Sequence, residues 1–220
     1  MKNKILIIIL IFSLFFLSFA ILQKQKIKTI SLNKEQILGE KKESSMNDTT
    51  TQIKKLNRPG MLIDTNKTYT AVLHTNRGDI KISLDTKDTP IATNNFVYLA
   101  RQKFYDKTIF HRIINNFMIQ GGDPLGTGTG GPGYTFADEQ SSQKLVTGSL
   151  AMANRGSNTN GSQFFIITAE ATPWLDGKHT NFGKVIEGME VVNAISKAQT
   201  GAKDKPIEDI VINSVEIIES

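Results

Sequence analysis

In the stretch FHRIINNFMIQGGD, residues 110–123, one arginine and one glutamine interrupt an apolar run that closes on Gly121-Gly122. Arg112 carries a planar, permanently charged fork of N–H donors. Phe117, Met118 and Gln120 follow at once, so a fixed cation sits in sequence beside apolar surface. Such a set can do hydrogen-bonding and electrostatic chemistry, and composition thins out the alternatives. There is no cysteine, which excludes thiol nucleophiles, thiolate metal sites and disulfides. His74, His111 and His179 lie far apart, without ligand-like spacing. No G-x-S-x-G elbow occurs and no lysine completes a phosphate loop. Gly126, Gly128 and Gly131 formally satisfy G-x-G-x-x-G, but Pro132-Gly133 follows where a dinucleotide loop would open a helix. Residues 121–133 therefore read as a flexible surface loop, and no cofactor is expected.

A second rich stretch is GSLAMANRGSNTNGSQFFIITAEATPWLDGKHTNFGKV, residues 148–185. It mixes small polar residues with Phe164, Phe165, Trp174 and Phe182. Adjacent phenylalanines on a strand point to opposite faces. One of Phe164 and Phe165 therefore belongs to the core, and the other faces outward and requires a partner.

The elements that must position these residues begin near residue 68. TYTAVLHT and DIKISL alternate apolar and polar residues about Asn76-Arg77-Gly78, the pattern of a hairpin. Thr89 and Pro90 can cap and open a helix carrying Ile91, Phe96, Val97, Leu99 and Ala100 at helical spacing. Strand-like runs follow at 108–113, 116–120, 145–152, 162–168 and 180–186. A second helix is expected near 188–197 and a last strand near 209–218. Many short strands with two helices predict an all-β architecture, a closed barrel with helical caps. An interior of that size fills with side chains, so a functional site belongs on the outer wall.

The chain has 220 residues, 39% of them hydrophobic, and a formal net charge of +5. That charge is uneven. Residues 1–60 carry 11 Lys/Arg against 4 Asp/Glu, whereas residues 61–220 carry 15 against 17. The folded part is slightly acidic and shows no phosphate-neutralising patch, so nucleic acid is not an expected partner. Lys2 and Lys4 precede an uncharged run at 5–22 that is long enough to cross a bilayer as a helix. Its length favours a retained anchor; on the alternative reading, cleavage near Ser18-Phe19-Ala20 removes residues 1–20 as a signal peptide. The predicted division is an anchor or signal at 1–22, a polar basic linker at 23–62 and a folded domain at 63–220. The domain is expected outside the cytoplasm, membrane-anchored or secreted, and as a monomer.

The two quoted segments, with FHRIINNFMIQGGD extended through PLGTGTGGPGYTF, resemble the signature regions of cyclophilins, the cyclosporin-binding class of peptidyl-prolyl cis-trans isomerases. The similarity runs in order from about 68 to 218. It implies an eight-stranded antiparallel barrel closed by two helices, with a groove for proline-containing peptides on its outer surface. Carried over by position, Arg112, Gln120 and Phe117 are the catalytic candidates. Met118, Ala153, Asn154, Gln163, Phe165, Trp174, Leu175 and His179 are the substrate-binding ones. Two departures stand out: Asn115-Asn116 replaces the usual Pro-Gly, and Arg155 stands where a small residue is commoner.

On that resemblance Arg112 would donate to the imide nitrogen of a half-rotated X–Pro bond. Phe117, Met118, Phe165 and Leu175 would cup the proline ring. Gln120 and Gln163 would orient Arg112 or bond the substrate backbone, Asn154 would align the residue before proline through its main chain, and His179 and Trp174 would close the groove. Cyclosporin binding is a further implication. The competing reading is a non-catalytic proline-peptide binding module or chaperone using the same groove, and Arg112 favours the enzyme because a pure binder has no use for that donor.

Overall fold

Residues 55–220 are described by the computed structural model. Among them, period-two alternation produces the first hairpin as expected. Strands β1 (Tyr69–Thr75) and β2 (Gly78–Leu84) pair antiparallel from Tyr69↔Leu84 to Thr75↔Gly78. Leu73, Ile80 and Ile82 are fully buried on the inner face. Gly78 turns the corner at a φ of 125°, a value that glycine tolerates and a β-carbon does not.

Helix α1 (Pro90–Arg101) starts at the proline, yet Thr89 does not cap it with its side chain. The Thr89 hydroxyl donates instead to the Asp85 carbonyl oxygen. The free N–H groups of Ile91 and Ala92 are taken by the Glu139 carboxylate, at 2.9 and 2.7 Å, from a loop 47 or more residues away. A carboxylate at a helix N-terminus satisfies orphan donors and complements the helix dipole. The middle of the helix is packed through Phe96, which lies 4.9 Å from Tyr105 and 5.6 Å from both Phe164 and Phe182, centroid to centroid. Asn94, buried on the same helix, holds the incoming chain by accepting from Leu62 N and donating to the Gly60 carbonyl.

The remaining strands are β3 (Thr108–Ile109), β4 (Arg112–Ile114), β5 (Met118–Gly121), β6 (Ser149–Met152), β7 (Phe164–Ile167), β8 (Asn181–Glu187) and β9 (Val211–Glu219). Helix α2 (Met189–Ser196) sits between the last two and buries Val192 and Ile195. The order across the sheet is β3-β9-β1-β2-β8-β6-β7-β5-β4, antiparallel throughout. Nine strands stand where eight are expected. The run at 108–114 is cut in two: Thr108 and Ile109 pair with β9 and Arg112–Ile114 with β5, while Phe110 and His111 between them belong to neither ladder.

The mainly β architecture with two helices is therefore as the alternation implies. Among the described residues no helix is long and apolar enough to cross a membrane. The apolar run at 5–22 lies outside those residues, as does most of the expected linker.

Glu139 gives the fold its first test. Glu139→Ala should lower stability by about 0.5–2 kcal/mol, the usual cost of an N-terminal cap, read as a shift in the urea midpoint with unchanged slope. An unshifted midpoint would mean that water serves Ile91 and Ala92 equally well.

Candidate active site

The outer wall gets its side chains from strand register. β4 pairs with β5 so that Arg112 faces Gln120; β5 pairs with β7 so that Gln120 faces Phe165; β6 pairs with β7 so that Ala151 faces Phe165. Residues directly opposite on neighbouring strands share a face. One transverse row thus carries Arg112, Gln120, Phe165 and Ala151. The next row inward in register, Ile113, Ile119, Ile166 and Leu150, is at most 2% exposed and fills the interior. Phe164 joins that interior, while Phe165 packs on the other side of the sheet with Met118, Ala151 and Ile167. The outward phenylalanine has the partner it requires, the His179 ring, edge-on at 5.3 Å.

Phe117 comes from the turn between β4 and β5. Asn116 there has a φ of 54°, the left-handed conformation that asparagine enters more readily than most residues. The Asn115-Asn116 departure therefore preserves the turn, and Phe117 N donates to the Ile114 carbonyl at 3.1 Å. Leu175 comes from a single 3-10 turn, Pro173–Leu175, and packs with Phe117 against the Phe165 cluster.

These elements enclose a cavity of about 760 Å³. Nine of the eleven residues singled out in the sequence line it: Arg112, Phe117, Met118, Gln120, Ala153, Asn154, Phe165, Leu175 and His179. The other two lie beside it. Gln163 lines an adjoining cavity of about 680 Å³ that shares Gln120, Ala153 and Asn154 with the first. Trp174 is 56% exposed outside the cavity wall, its ring 6.1 Å from that of Phe117.

Hydrogen bonds distinguish which polar groups are committed. Gln120 donates its amide to the Gln163 side-chain oxygen at 3.0 Å, and Gln163 donates to the Gly130 carbonyl at 2.9 Å. Neither glutamine bonds to Arg112. The arginine is met instead by Asp204, whose carboxylate accepts from Arg112 Nε at 3.3 Å. Its two terminal nitrogens have no hydrogen-bond partner among the described residues. His179 Nδ1–H donates to the Met152 carbonyl at 3.0 Å. Asn154 spends its side-chain amide on the Lys178 carbonyl, while its backbone N–H and C=O stay unpaired among the described residues.

Asp204 is the groove residue that motif reading misses. It lies 92 residues from Arg112 in a connection between α2 and β9, and no periodicity marks it. His111 is another, packed under the groove; burial lowers its pKa below the ordinary value. Arg155 reaches across to donate to the Gly128 carbonyl at 3.1 Å, tying together the two loops that border both cavities.

The segment 121–133 is not the free loop its glycines suggest. Asp123, 1% exposed, accepts from the backbone N–H groups of Leu125 (2.8 Å), Thr127 (3.1 Å) and Gly128 (2.6 Å). The glycine pair has its own cause: a β-carbon at Gly121 would press on the Phe110 ring, and one at Gly122 would strike the Ser162 carbonyl oxygen. Burial by itself would raise the Asp123 pKa, but the backbone donors outweigh it and hold the value below the usual 3.8.

That balance fixes a sign. A carboxyl with a lower pKa folded than unfolded stabilises the fold above its unfolded value and loses this contribution as pH falls through the folded one. Asp123→Asn, which turns a donor toward donors, should cost about 1–3 kcal/mol at neutral pH. The difference from wild type should shrink in acid, measured by denaturant unfolding from pH 7 to pH 3. Parallel stability profiles would show that Asp123 is not the ionised anchor of this loop.

Residues 70–217 match the model of the family described as cyclophilin type peptidyl-prolyl cis-trans isomerase/CLD. The peptidyl-prolyl cis-trans isomerase-like 1 of Gibberella zeae is 48% identical over 157 residues, covering 69% of this chain and 96% of the relative. The probable peptidyl-prolyl cis-trans isomerase A of Mycobacterium bovis is 50% identical over 172 residues, covering 68% and 92%. Among solved structures, a Cryptosporidium parvum cyclophilin type peptidyl-prolyl cis-trans isomerase superposes with a TM-score of 0.66 at 40% identity, covering 70% of this chain and 99% of that one. The same protein in the presence of the dipeptide Ala-Pro gives a TM-score of 0.65 at 40% identity over 69% of this chain and 99% of that one.

Proposed function

The chain belongs to the cyclophilin-type peptidyl-prolyl cis-trans isomerase family, and we propose that Arg112 carries the rotation of the X–Pro bond in the groove just described. An amide resists twisting by about 18–20 kcal/mol because the nitrogen lone pair is delocalised into the carbonyl. Half-way round, that lone pair is localised on a pyramidal nitrogen and can accept a hydrogen bond. A donor placed there stabilises the twisted state more than either planar one, which is the requirement for catalysis. No bond to the enzyme forms or breaks.

The observation that carries this assignment is the free end of the guanidinium: Arg112 uses Nε on the protein and lines the same cavity as the apolar cup, its other donors uncommitted among the described residues. Phe117, Met118, Phe165 and Leu175 receive the proline ring. The backbone N–H and C=O of Asn154, unpaired among the described residues, take the residue before it in strand-like fashion. Gln120, tied to Gln163, forms a polar ledge between the cup and the adjoining cavity. The Ala-Pro dipeptide named with the Cryptosporidium parvum structure supports a proline-containing peptide as the substrate class.

The same reading extends to the rest of the chain. β3 and β4, the two ends of the sheet order, are separated only by Phe110 and His111. Counting 108–114 as one interrupted strand makes eight and closes the barrel, an arrangement that leaves no unpaired edge. The uncharged run at 5–22 supports a membrane anchor with the domain outside the cytoplasm, or secretion after loss of residues 1–20, so the clients would be exported proteins folding near the membrane. The monomeric domain would take up cyclosporin at the groove beside the exposed Trp174. The mass of the native N-terminus distinguishes anchor from cleaved signal.

Arg112→Ala tests the mechanism. A hydrogen bond from a charged donor contributes ~1.5–3 kcal/mol and each ~1.36 kcal/mol is tenfold in rate, so kcat/KM should fall roughly ten- to 150-fold. The assay is protease-coupled or exchange-NMR isomerisation of an X–Pro peptide, with the melting temperature unchanged. Near wild-type turnover in a folded Arg112→Ala protein would remove Arg112 from the mechanism.

A further inference from the structure

The connection between α2 and β9 forms a small stalk rather than a slack loop. Ile207 N donates to the Gln199 carbonyl at 2.9 Å, Thr200 bridges Pro206, and Gly201 N donates to the Lys205 carbonyl at 2.8 Å. These rungs close the chain two by two up to a tip at Ala202–Asp204. At that tip Lys203 and Asp204 both have a φ of 59°, left-handed conformations without glycine. Such a backbone persists only where its surroundings hold it. Ala202, Lys203 and Asp204 of the tip all line the groove, and it is the Asp204 carboxylate that meets Arg112, 3.3 Å from Nε.

We infer that Asp204 is a positioning residue for the isomerisation: by accepting from Nε it fixes the plane of the Arg112 guanidinium, so that the terminal nitrogens face the proline cup. This rests on the role given to Arg112 above. The arginine side chain is long and rotatable, and a donor must be aimed where the lone pair appears. The glutamines that sequence reasoning would assign to this task are bonded to each other and to Gly130. Both members of the ion pair are about half exposed, 42% for Arg112 and 46% for Asp204. Water therefore screens the charge, and the pair contributes direction more than binding strength. A guanidinium with a carboxylate on its inner edge remains a donor at its outer one.

Two substitutions keep the left-handed backbone. Asp204→Gly removes the acceptor, and Asp204→Asn leaves a neutral one. Measured by exchange NMR on one X–Pro peptide, kcat/KM should fall about two- to fivefold in Asp204→Gly, a range set by a half-exposed pair, and by less in Asp204→Asn. Peptide affinity should stay within about twofold on the same reasoning, and the Nε–H resonance of Arg112 should exchange faster with water in the glycine variant. In an Arg112→Ala background, Asp204→Gly should remove nothing further. Wild-type kcat/KM in Asp204→Gly, an unaltered Arg112 Nε–H signal, or an equal loss with and without Arg112 would each overturn the inference. If Arg112→Ala itself retains full activity, it is the assignment of Arg112 that falls, and Asp204 with it. A loss in Arg112→Ala beside full activity in Asp204→Gly isolates the failure to Asp204.

Discussion

Arg112, Gln120 and Phe165 reach the outer wall because β5 pairs with β4 on one side and β7 on the other in a single register. Side chains on a strand alternate, so a slip of one residue would exchange the two faces. The row adjacent to the functional one is Ile113, Ile119, Ile166 and Leu150, all essentially buried. Fully burying one aliphatic side chain contributes about 1.5–3 kcal/mol, and a slip would forfeit four such contributions while driving a guanidinium into the core. The interior therefore enforces the geometry of the groove without touching it.

The floor of the groove is made by strands and its borders by connections, and the two are stabilised differently. Hydrophobic packing fixes the floor. The borders rely on carboxylates: Asp123 gathers the backbone N–H groups of the glycine-rich loop, and Asp204 meets Arg112 from the opposite side. Asp123 is buried and its bonds are to backbone, so it behaves as part of the fold. Asp204 is half in water and bonds to a mobile side chain, so its influence falls on the aim of a donor rather than on stability. Glu139 repeats the first pattern at the start of α1, which the local residue Thr89 leaves uncapped.

Much of this was legible from residues alone, for identifiable reasons. The β1–β2 hairpin and both helices follow from local periodicity. The opposed pair Phe164-Phe165 follows from alternation, and the structure adds the partner of the outer ring, His179. The break in 108–114 was not legible, since Thr108, Ile109, Ile113 and Ile114 suit an uninterrupted strand; what divides them is that the two halves pair with different neighbours. At 121–133 the glycine content reports what a backbone is free to do; it does not show that Asp123, within the same segment, gathers the N–H groups of Leu125, Thr127 and Gly128.

The sequence determined by itself the element types, the family and nine of the residues that meet in one cavity, because each is written either in short-range periodicity or in a long segment similar to related chains. Tertiary structure alone decided what holds Arg112, what caps α1, and that Trp174 stands outside the cavity it was expected to close. Those depend on pairs of residues brought together by the folded sheet and its connections from positions tens of residues apart. A carboxylate's partner is selected by where the chain returns in space, and no local pattern records that distance.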